Sequence, residues 1–237
     1  MKKQLFIAAS LLLTTVAEAL AQNGDNTHGT PPADIVAVDL GLPSGIKWAN
    51  MNVGAAKPED KGLYFAWGDA TGYDFNTVAY NPPFTWDDYK FGCPKKFKKY
   101  CLQRSDGQKD EKTILELEDD GARVYWGSPW RMPTLHEFRE LLDNTDYEFT
   151  EQNGVPGVKF TSKKNGNTIF LPATVGRGGN KYYNVDYFKR PPQCGYWTSN
   201  MNTNKKGGSD TAWTFYGHGA PMSILYRYCF LAIRPVL

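Results

Sequence analysis

The sequence predicts an α+β fold in which a short helix packs against antiparallel strands joined by long loops. The helix is indicated at 134–144, where Thr134 and Glu137 have the spacing of a capping box and the apolar residues that follow recur every three to four positions. A strand hairpin is indicated by Asn165-Gly166 between two runs of strand-forming residues. Aromatic residues make up 14% of the chain, beside 23 Gly and 15 Pro, and this composition favours short strands and many turns over a helical bundle.

Residues 1–21 have the features of a secretory signal peptide. Lys2 and Lys3 precede an apolar run, 5–16, that is too short to span a bilayer comfortably, and small residues at 19–21 provide a cleavage site. No cysteine follows that site, which argues against a lipid anchor there. We therefore expect an exported protein that is periplasmic, held at the outer surface or secreted.

The mature chain is expected to form a flexible leader and one domain. Residues 22–34 are polar and rich in Gly, Pro and Asn, which is typical of a leader. The length of 35–237 suits a single domain. Apolar runs between turn residues predict its strands, which are 35–40, 46–49, 63–68, 158–163, 168–171, 195–199, 211–216 and 224–236.

Residues 69 to about 122 are expected to be the least regular part of the chain, with an irregular insertion at about 75–122. They contain a basic run, 95–99, and an acidic run, 115–120. We expect a solvated excursion whose two charge runs face each other, and the alternative is a basic run that contacts an acidic partner. A loop of this length is unusual unless it is functional or cross-linked.

Four cysteines in an oxidising compartment predict disulfides. Cys93, Cys101, Cys194 and Cys229 allow three pairings. We favour Cys93–Cys101, which would close a loop in the insertion, and Cys194–Cys229, which would tie two C-terminal strands. The chain has no Cys-x-x-Cys and no His near a Cys at zinc spacing, so no metal or redox role is expected.

The charge balance argues against two classes of partner. The chain has 27 basic and 25 acidic residues, a formal net charge of +2. This near-neutral balance gives no electrostatic case for nucleic acid or for anionic membranes. No stretch after the signal peptide is apolar enough for a membrane helix.

Six segments carry a family resemblance. They are V-D-L-G-L-P-S-G-I-K-W-A-N-M-N-V-G-A (38–55), Y-F-A-W-G-D (64–69), W-R-M-P-T-L-H-E-F (130–138), N-G-N-T-I-F-L-P-A (165–173), G-Y-W-T-S-N (195–200) and I-R-P-V (233–236). In this order they resemble the major-paralogous-domain (FISUMP) family of secreted and surface bacterial proteins, and they skip 75–122. A more distant similarity extends to the formylglycine-generating enzymes and the variable proteins of diversity-generating retroelements.

The resemblance implies a C-type-lectin-like domain with two helices, twisted antiparallel strands and long loops. It also implies that the first strand pairs with the last, so that the termini lie close together, and that the 130–138 segment opens the second helix. Members of the family mostly have no assigned activity, and the fold suggests ligand binding or adhesion only by analogy.

We therefore expect a non-enzymatic module, without a cofactor, that binds a glycan or protein ligand at the cell surface. Domains of this fold generally form the ligand face from loops near the C-terminus. The candidate residues combine ring faces with amide and hydroxyl groups, and they are Tyr182, Tyr183, Asn184, Trp197, Asn200, Trp213, Tyr216, His218 and Tyr226. The strands of Trp197 and Trp213 are expected to be central, so both rings also suit a core. Trp130, Arg131 and Arg234 are expected to be framework residues.

Catalytic alternatives find less support in the residues. A copper-dependent formylglycine-generating enzyme needs two neighbouring cysteines near its C-terminus, which this chain lacks. Calcium-dependent lectins use Glu-Pro-Asn or Gln-Pro-Asp and a later Trp-Asn-Asp; none occurs, and Trp86-Asp87-Asp88 lies in the insertion. His136 and His218 have no nucleophilic partner in a known motif. A hydrolase acting on extracellular carbohydrate, which needs only two suitably placed carboxylates, stays an alternative, as does an architectural surface protein.

Overall fold

The computed structural model confirms the α+β class. It describes residues 29–74, 85–174, 194–204, 208–217 and 221–237, together with the backbone of 177–178 and 181–182. The predicted signal peptide, 1–21, and leader residues 22–28 lie outside these residues. Within the described part, two α-helices accompany sheets that are mostly antiparallel. No helix there is long and apolar enough to cross a membrane.

Along the chain, strands precede and follow the two helices of the described residues. In chain order the elements are β1 (Ala37–Asp39), β2 (Lys47–Ala49), β3 (Tyr64–Ala66), α1 (Gly121–Trp126), α2 (Leu135–Asn144), β4 (Thr145–Gln152), β5 (Val155–Ser162), β6 (Thr168–Pro172), β7 (Arg177–Gly178), β8 (Lys181–Tyr182), β9 (Tyr196–Met201), β10 (Thr211–Phe215), β11 (Met222–Tyr226) and β12 (Phe230–Ala232). A 3-10 turn at Leu117–Asp119 precedes α1. The predicted strand 224–236 divides into β11 and β12 because a turn interrupts it at 227–229.

The largest sheet is built around β12. Its order is β11-β10-β9-β12-β7-β8, with β3 also paired to β12. β12 runs parallel to β9 and antiparallel to β3, so both of these strands are held next to the same central strand. A second sheet has the order β4-β5-β6, and its β5–β6 hairpin confirms the predicted Asn-Gly turn.

The C-terminal residues pair with β2, whereas the family resemblance implied the first strand. Lys47 and Leu237 exchange both backbone hydrogen bonds at 3.0 Å, and the N–H of Ala49 donates to the carbonyl of Pro235 at 2.9 Å. β1 instead forms a hairpin with β2 and occupies its other edge. The start of the domain and the C-terminus are therefore adjacent, through the second strand.

α2 begins with the predicted capping box. The hydroxyl of Thr134 accepts from the N–H of Glu137 at 3.2 Å, and the Thr134 N–H donates to the Glu137 carboxylate at 2.7 Å. Arg131 donates to both oxygens of the same carboxylate, at 2.8 and 2.5 Å. Burial opposes ionisation of Glu137, but the bonds from Arg131 and Thr134 outweigh it and hold the pKa of this carboxyl below its usual value. Arg131 is thus a framework residue, as predicted.

Arg234 is the second confirmed framework arginine. Its side chain is fully buried and donates to Asn52 Oδ1 at 2.8 Å, to the Ala49 carbonyl at 3.1 Å and to the Phe170 carbonyl at 2.8 Å. Burial lowers the pKa of Arg234 to about 10, because desolvation disfavours the charged form. The residue therefore joins β2 and β6 through loop and strand carbonyls.

The prediction that the insertion is a solvated excursion is wrong for its described part, 85–122. Phe91, Phe97 and Tyr100 are buried in the larger of two apolar cores, together with Trp67. The reason is that aromatic residues are interspersed with the charges of this segment, so the rings turn inward, while most of the charges stay at or near the surface and Asp119 and Asp120 are buried. Residues 75–84 lie outside the described part of the chain.

The prediction that the two charge runs of the insertion face each other is confirmed. The Lys99 ammonium lies 2.5 Å from carboxylate oxygens of both Glu116 and Asp119. It also lies 3.2 Å from Glu118. Lys90 adds a second cation at 2.9 Å from Asp119. Lys99 of the basic run, together with Lys90, thus pairs with the acidic run within the same molecule.

The structure shows no disulfide among the described cysteines, which are Cys93, Cys101, Cys194 and Cys229, and the two predicted pairings stay predictions. Cys194 packs in the smaller core and Cys229 in the larger. Cys101 is buried with its thiol against the Gln103 carbonyl at 3.1 Å, whereas Cys93 is half-buried in a surface turn. Burial raises the pKa of Cys194 to about 12.

Replacing Thr134 with Ala tests the helix cap. We expect the free energy of unfolding to fall by about 1 kcal/mol, because the N–H of Glu137 loses its acceptor. Urea denaturation followed by circular dichroism measures the change. Thr134→Ser retains the hydroxyl and should be close to the natural chain, and equal stability of the Ala and Ser variants would contradict the role of the cap.

Replacing Asp119 with Asn tests the charge cluster through its pH dependence. Burial opposes ionisation of Asp119, but hydrogen bonds from Lys90, Lys99 and Tyr100 hold its pKa below the usual value. A lowered folded-state pKa contributes stability above the unfolded pKa of about 4, and this contribution is lost as the pH falls through the folded value. We therefore expect the variant to be less stable than the natural chain at pH 7, with a difference that narrows below about pH 4.

Urea titrations between pH 3 and pH 7 measure that difference directly. Asp146→Asn is the control, because Asp146 is exposed and its nearest cation, Lys163, is 3.9 Å away. A gap between Asp119→Asn and the natural chain that stays constant down to pH 3 would count against the ion pairs.

Candidate functional site

Two hollows that share Asp69 form the candidate site. The larger, which we call the basin, has a volume of about 510 Å³ and is lined by Asp69, Ala70, Thr71, Lys90, Val124 and Tyr125. The smaller, which we call the notch, has a volume of about 20 Å³ and is lined by Ala66, Asp69, Tyr73, Thr85, Asp88, Tyr89, Tyr228 and Phe230. The two together bring the loop after β3, the start of the described insertion, α1 and the β11–β12 turn to one place.

The loop after β3 positions Asp69. Gly68 has a φ of +77°, and a Cβ there would lie 2.8 Å from the ring of Phe91, so the turn requires glycine. Asp69 then accepts a hydrogen bond from the N–H of Thr71 at 3.0 Å through Oδ1. Gly72 donates its N–H to the Tyr125 hydroxyl at 3.2 Å, which holds the loop against α1. The turn therefore presents the Asp69 carboxylate in a fixed direction.

A short turn at 85–89 positions Asp88. Its Oδ2 accepts from the N–H of Thr85 at 3.1 Å and from the Thr85 hydroxyl at 3.3 Å. The next residue, Tyr89, is buried, and its hydroxyl donates to the Trp67 carbonyl at 2.6 Å. Burial raises the pKa of Tyr89, so this hydroxyl stays a donor. The buried tyrosine anchors the turn that carries the exposed carboxylate.

Three rings beside the notch form what we call the aromatic platform: Trp86, Tyr226 and Tyr228. The centroid of the Trp86 ring is 4.8 Å from that of Tyr228 and 5.9 Å from that of Tyr226, both edge-on. The two tyrosines stack at 5.7 Å with an interplanar angle of 12°. Trp86 and Tyr228 are half-buried, and Tyr226 is 42% exposed. The platform thus offers aromatic surface to solvent next to two carboxylates.

Arg227 lies beneath the platform and is fully buried. Its guanidinium lies 4.2 Å from the ring centroid of Phe97, 5.4 Å from that of Tyr89 and 5.6 Å from that of Trp67. Nη1 donates to the Tyr100 carbonyl at 2.9 Å, whereas Nε and Nη2 have no hydrogen-bond partner among the described residues. Burial lowers the pKa of Arg227. This cation joins the insertion to the β11–β12 turn.

Three carboxylates elsewhere have the spacing of a metal site. Oxygens of Glu116, Glu118 and Asp119 lie within 4.8 Å of one another. The Lys99 ammonium is paired with all three. A hard cation such as calcium needs six to eight oxygens around the position that the ammonium already occupies. The cluster is therefore charge-compensated by the chain itself and gives no support to a metal role.

The structure distributes the predicted ligand residues over several places. Tyr226 belongs to the aromatic platform. Trp197 is fully buried and donates its indole N–H to the Phe65 carbonyl at 2.8 Å, so its ring is not available to a ligand. Asn200 accepts from the N–H of Leu135 at 2.7 Å and thereby helps to cap α2. The structure therefore gives Trp197 and Asn200 framework roles.

Trp213 and Tyr216 are half-buried on or next to β10, and neither lines the basin or the notch. The guanidinium of Arg139, from α2, lies 5.8 Å from the Trp213 ring centroid. Only the backbone of Tyr182 is described, and Tyr183, Asn184 and His218 lie outside the described residues. Their proposed roles stay predictions.

Sequence reasoning missed Asp69, Asp88, Trp86 and Tyr228. Asp88 and Trp86 belong to the Trp86-Asp87-Asp88 triplet, which was compared only with a calcium loop. Tyr226 and Tyr228 are two positions apart, a spacing that places side chains on the same side of an extended backbone. That spacing was a usable signal for the platform. No local sequence pattern indicates that Asp69 and Asp88 line the same notch, because they lie on different loops.

Comparison of the chain with protein-family models, with curated proteins and with solved structures gave no match in any of the three. The C-type-lectin-like fold and the FISUMP resemblance therefore stay predictions that rest on the sequence segments alone.

Replacing Arg227 with Ala tests how the site is held together. We expect the free energy of unfolding to fall by about 3 kcal/mol, because the contacts with three rings and the bond to Tyr100 are lost and a cavity remains. Hydrogen exchange should also rise in 85–101, which loses its anchor. Arg104→Ala is the control, because Arg104 is an exposed arginine of the same segment. Equal effects of the two substitutions would contradict the role given to Arg227.

Proposed function

We propose that this protein is an exported, non-enzymatic binding module that recognises a saccharide at the cell surface through the basin, the notch and the aromatic platform. The observation that carries the proposal is the platform itself, a partly exposed group of rings beside two carboxylates. The C–H faces of a sugar ring are weakly apolar and pack on aromatic faces, while its hydroxyl groups donate to carboxylates. A site that combines aromatic rings with carboxylates suits a neutral or basic saccharide.

The carboxylates retain the acceptor capacity that such binding needs. Asp69 uses Oδ1 and Asp88 uses Oδ2 for bonds within their own loops. Asp69 Oδ2 and Asp88 Oδ1 accept no hydrogen bond from the described residues. A carboxylate oxygen held in place by its neighbour is a preorganised acceptor for a ligand. The basin, at about 510 Å³, also falls within the size range of small-ligand sites.

Export is the part of the proposal that rests on the sequence. Lys2, Lys3 and the apolar run 5–16 support a secretory signal, and an exported binding module would meet extracellular or surface saccharides. Residence in the periplasm, at the outer surface or in the medium is equally compatible with the proposal.

A glycoside hydrolase is the second candidate, because Asp69 and Asp88 both line the notch. Such an enzyme needs one carboxylic acid whose pKa is raised, so that it can protonate the leaving group. Among the described residues, burial raises the carboxyl pKa of Asp120 and Asp210. Neither of these lines the basin or the notch, and Asp120 accepts hydrogen bonds from the backbone of Ala122 and Met132. Hydrolysis of extracellular carbohydrate therefore stays the second candidate.

Replacing Tyr226 with Ala tests the platform. A glycan array with the exported form of the protein first identifies saccharides that bind, and calorimetry then measures their affinity. We expect Tyr226→Ala to weaken binding by about tenfold, because the loss of one stacking ring is worth about 1 kcal/mol.

Tyr147→Ala is the matched control for this experiment. Tyr147 is 46% exposed against 42% for Tyr226, but it lies on β4, away from the residues that line the two hollows. A protein that binds no saccharide, or one whose affinity falls equally in both variants, would overturn the proposal. Retained binding to a protein ligand would then favour protein adhesion.

A further inference from the structure

The notch is small enough to select a single chemical group. A cavity of about 10–15 Å³ on the same measure holds one water molecule, and the notch has about 20 Å³. A sugar ring cannot enter it, whereas one water-sized substituent of a sugar can. The basin, which shares Asp69 with the notch, has room for the ring that carries this substituent.

The walls of the notch favour a positive charge. Asp69 and Asp88 line it together with aromatic residues that include Tyr89 and Phe230, and no Lys or Arg is among its described lining residues. Aromatic faces attract a cation through their quadrupole, and a charge-assisted hydrogen bond to a carboxylate is about twice as strong as a neutral one. An anionic substituent would be repelled by the two carboxylates. An acetylated amine has neither the charge nor the size that the notch accepts.

The cations of the chain that lie close by are already engaged. Lys90, which lines the basin, is paired with Asp119 at 2.9 Å. Arg227 is buried behind the ring of Tyr89 and is bound to the Tyr100 carbonyl. Neither neutralises the acceptor oxygens that Asp69 and Asp88 retain. A metal ion fits less well as the occupant, because calcium takes six to eight oxygen ligands and the described lining of the notch holds only two carboxylates.

We propose that the notch binds the protonated amino group of an amino sugar, so that the ligand is a saccharide with a free amine and not an acetylated or purely hydroxylated one. This inference rests on the proposed function and narrows its ligand class. Asp69 and Asp88 pair with the ammonium, the tyrosine and phenylalanine rings surround it, and the sugar ring lies in the basin against Asp69.

Three trisaccharides with the same β-1,4 backbone test the inference, because they differ only at the second carbon of each ring. They are the trimers of glucosamine, of N-acetylglucosamine and of glucose. Calorimetry at physiological salt and neutral pH, with and without a chelator, measures the affinity of the purified full-length exported protein for each. We expect the glucosamine trimer to bind at least about tenfold more tightly than the other two.

Asp88→Asn should reduce that preference to about threefold or less, because the glucosamine trimer loses an ion pair, whereas the glucose trimer keeps a neutral hydrogen-bond acceptor. The Asn side chain can still accept from Thr85, so the turn is retained, and thermal unfolding verifies this. Asp87→Asn is the matched control, because Asp87 is the exposed neighbouring carboxylate and does not line the notch. It should leave the preference within about twofold of the natural value.

The outcomes separate this inference from the function on which it rests. Equal affinity for the three trimers, or tighter binding of the acetylated one, would overturn the amine site and leave saccharide binding intact. Equal loss of preference in the Asp87 and Asp88 variants would assign the preference to diffuse surface charge and would also overturn it. Binding that the chelator abolishes would replace the ammonium by a metal ion. Absence of binding to every saccharide on the array would overturn both proposals.

Discussion

Arg227 is a buried cation that is held chiefly by aromatic rings, and the arrangement of the candidate site depends on it. A charge removed from water is costly unless hydrogen bonds or ring faces replace the lost hydration. Here the ring of Phe97, the ring of Tyr89 and the Tyr100 carbonyl, all from the insertion, supply that replacement. These contacts therefore hold the insertion against the β11–β12 turn. Because Tyr226 and Tyr228 flank Arg227, the same contact places their rings beside Trp86 and Asp88.

Further hydrogen bonds from buried side chains hold together the strands around β12. Trp67 donates its indole N–H to the Thr198 carbonyl at 2.9 Å, and Trp197 donates to the Phe65 carbonyl at 2.8 Å. These two bonds run in opposite directions between β9 and the segment formed by β3 and the residue that follows it. β3 and β9 lie on either side of β12. Arg234, shortly after β12, donates hydrogen bonds to Asn52, Ala49 and Phe170. A site held by this framework can present hydrogen-bond acceptors in fixed positions, which favours selective binding of small ligand groups.

The aromatic composition suggested a recognition surface, which stays a proposal, and the candidate site of the structure lies largely away from the residues predicted for it. Trp197 and Asn200 are framework residues because β9 is central and its side chains bond to neighbouring segments. The insertion was expected to be solvated because its charge runs are conspicuous in the sequence. The rings between those charges decide its position instead, since burying aromatic side chains is favourable and most of the charges can stay in contact with water. The buried carboxylate of Asp119 is paired with Lys90 and Lys99.

Local features of the chain were determined by the sequence alone: the α+β class, the Thr134–Glu137 cap, the Asn165-Gly166 hairpin and the facing charge runs. Each depends on residues within a few positions of one another or on charges whose pairing is strongly favoured. Only the tertiary structure decided that Asp69 and Asp88 share a notch and that Arg227 is buried. These features depend on contacts between segments far apart in the chain, and the geometry of such contacts is set by how the whole core packs, which no local pattern records.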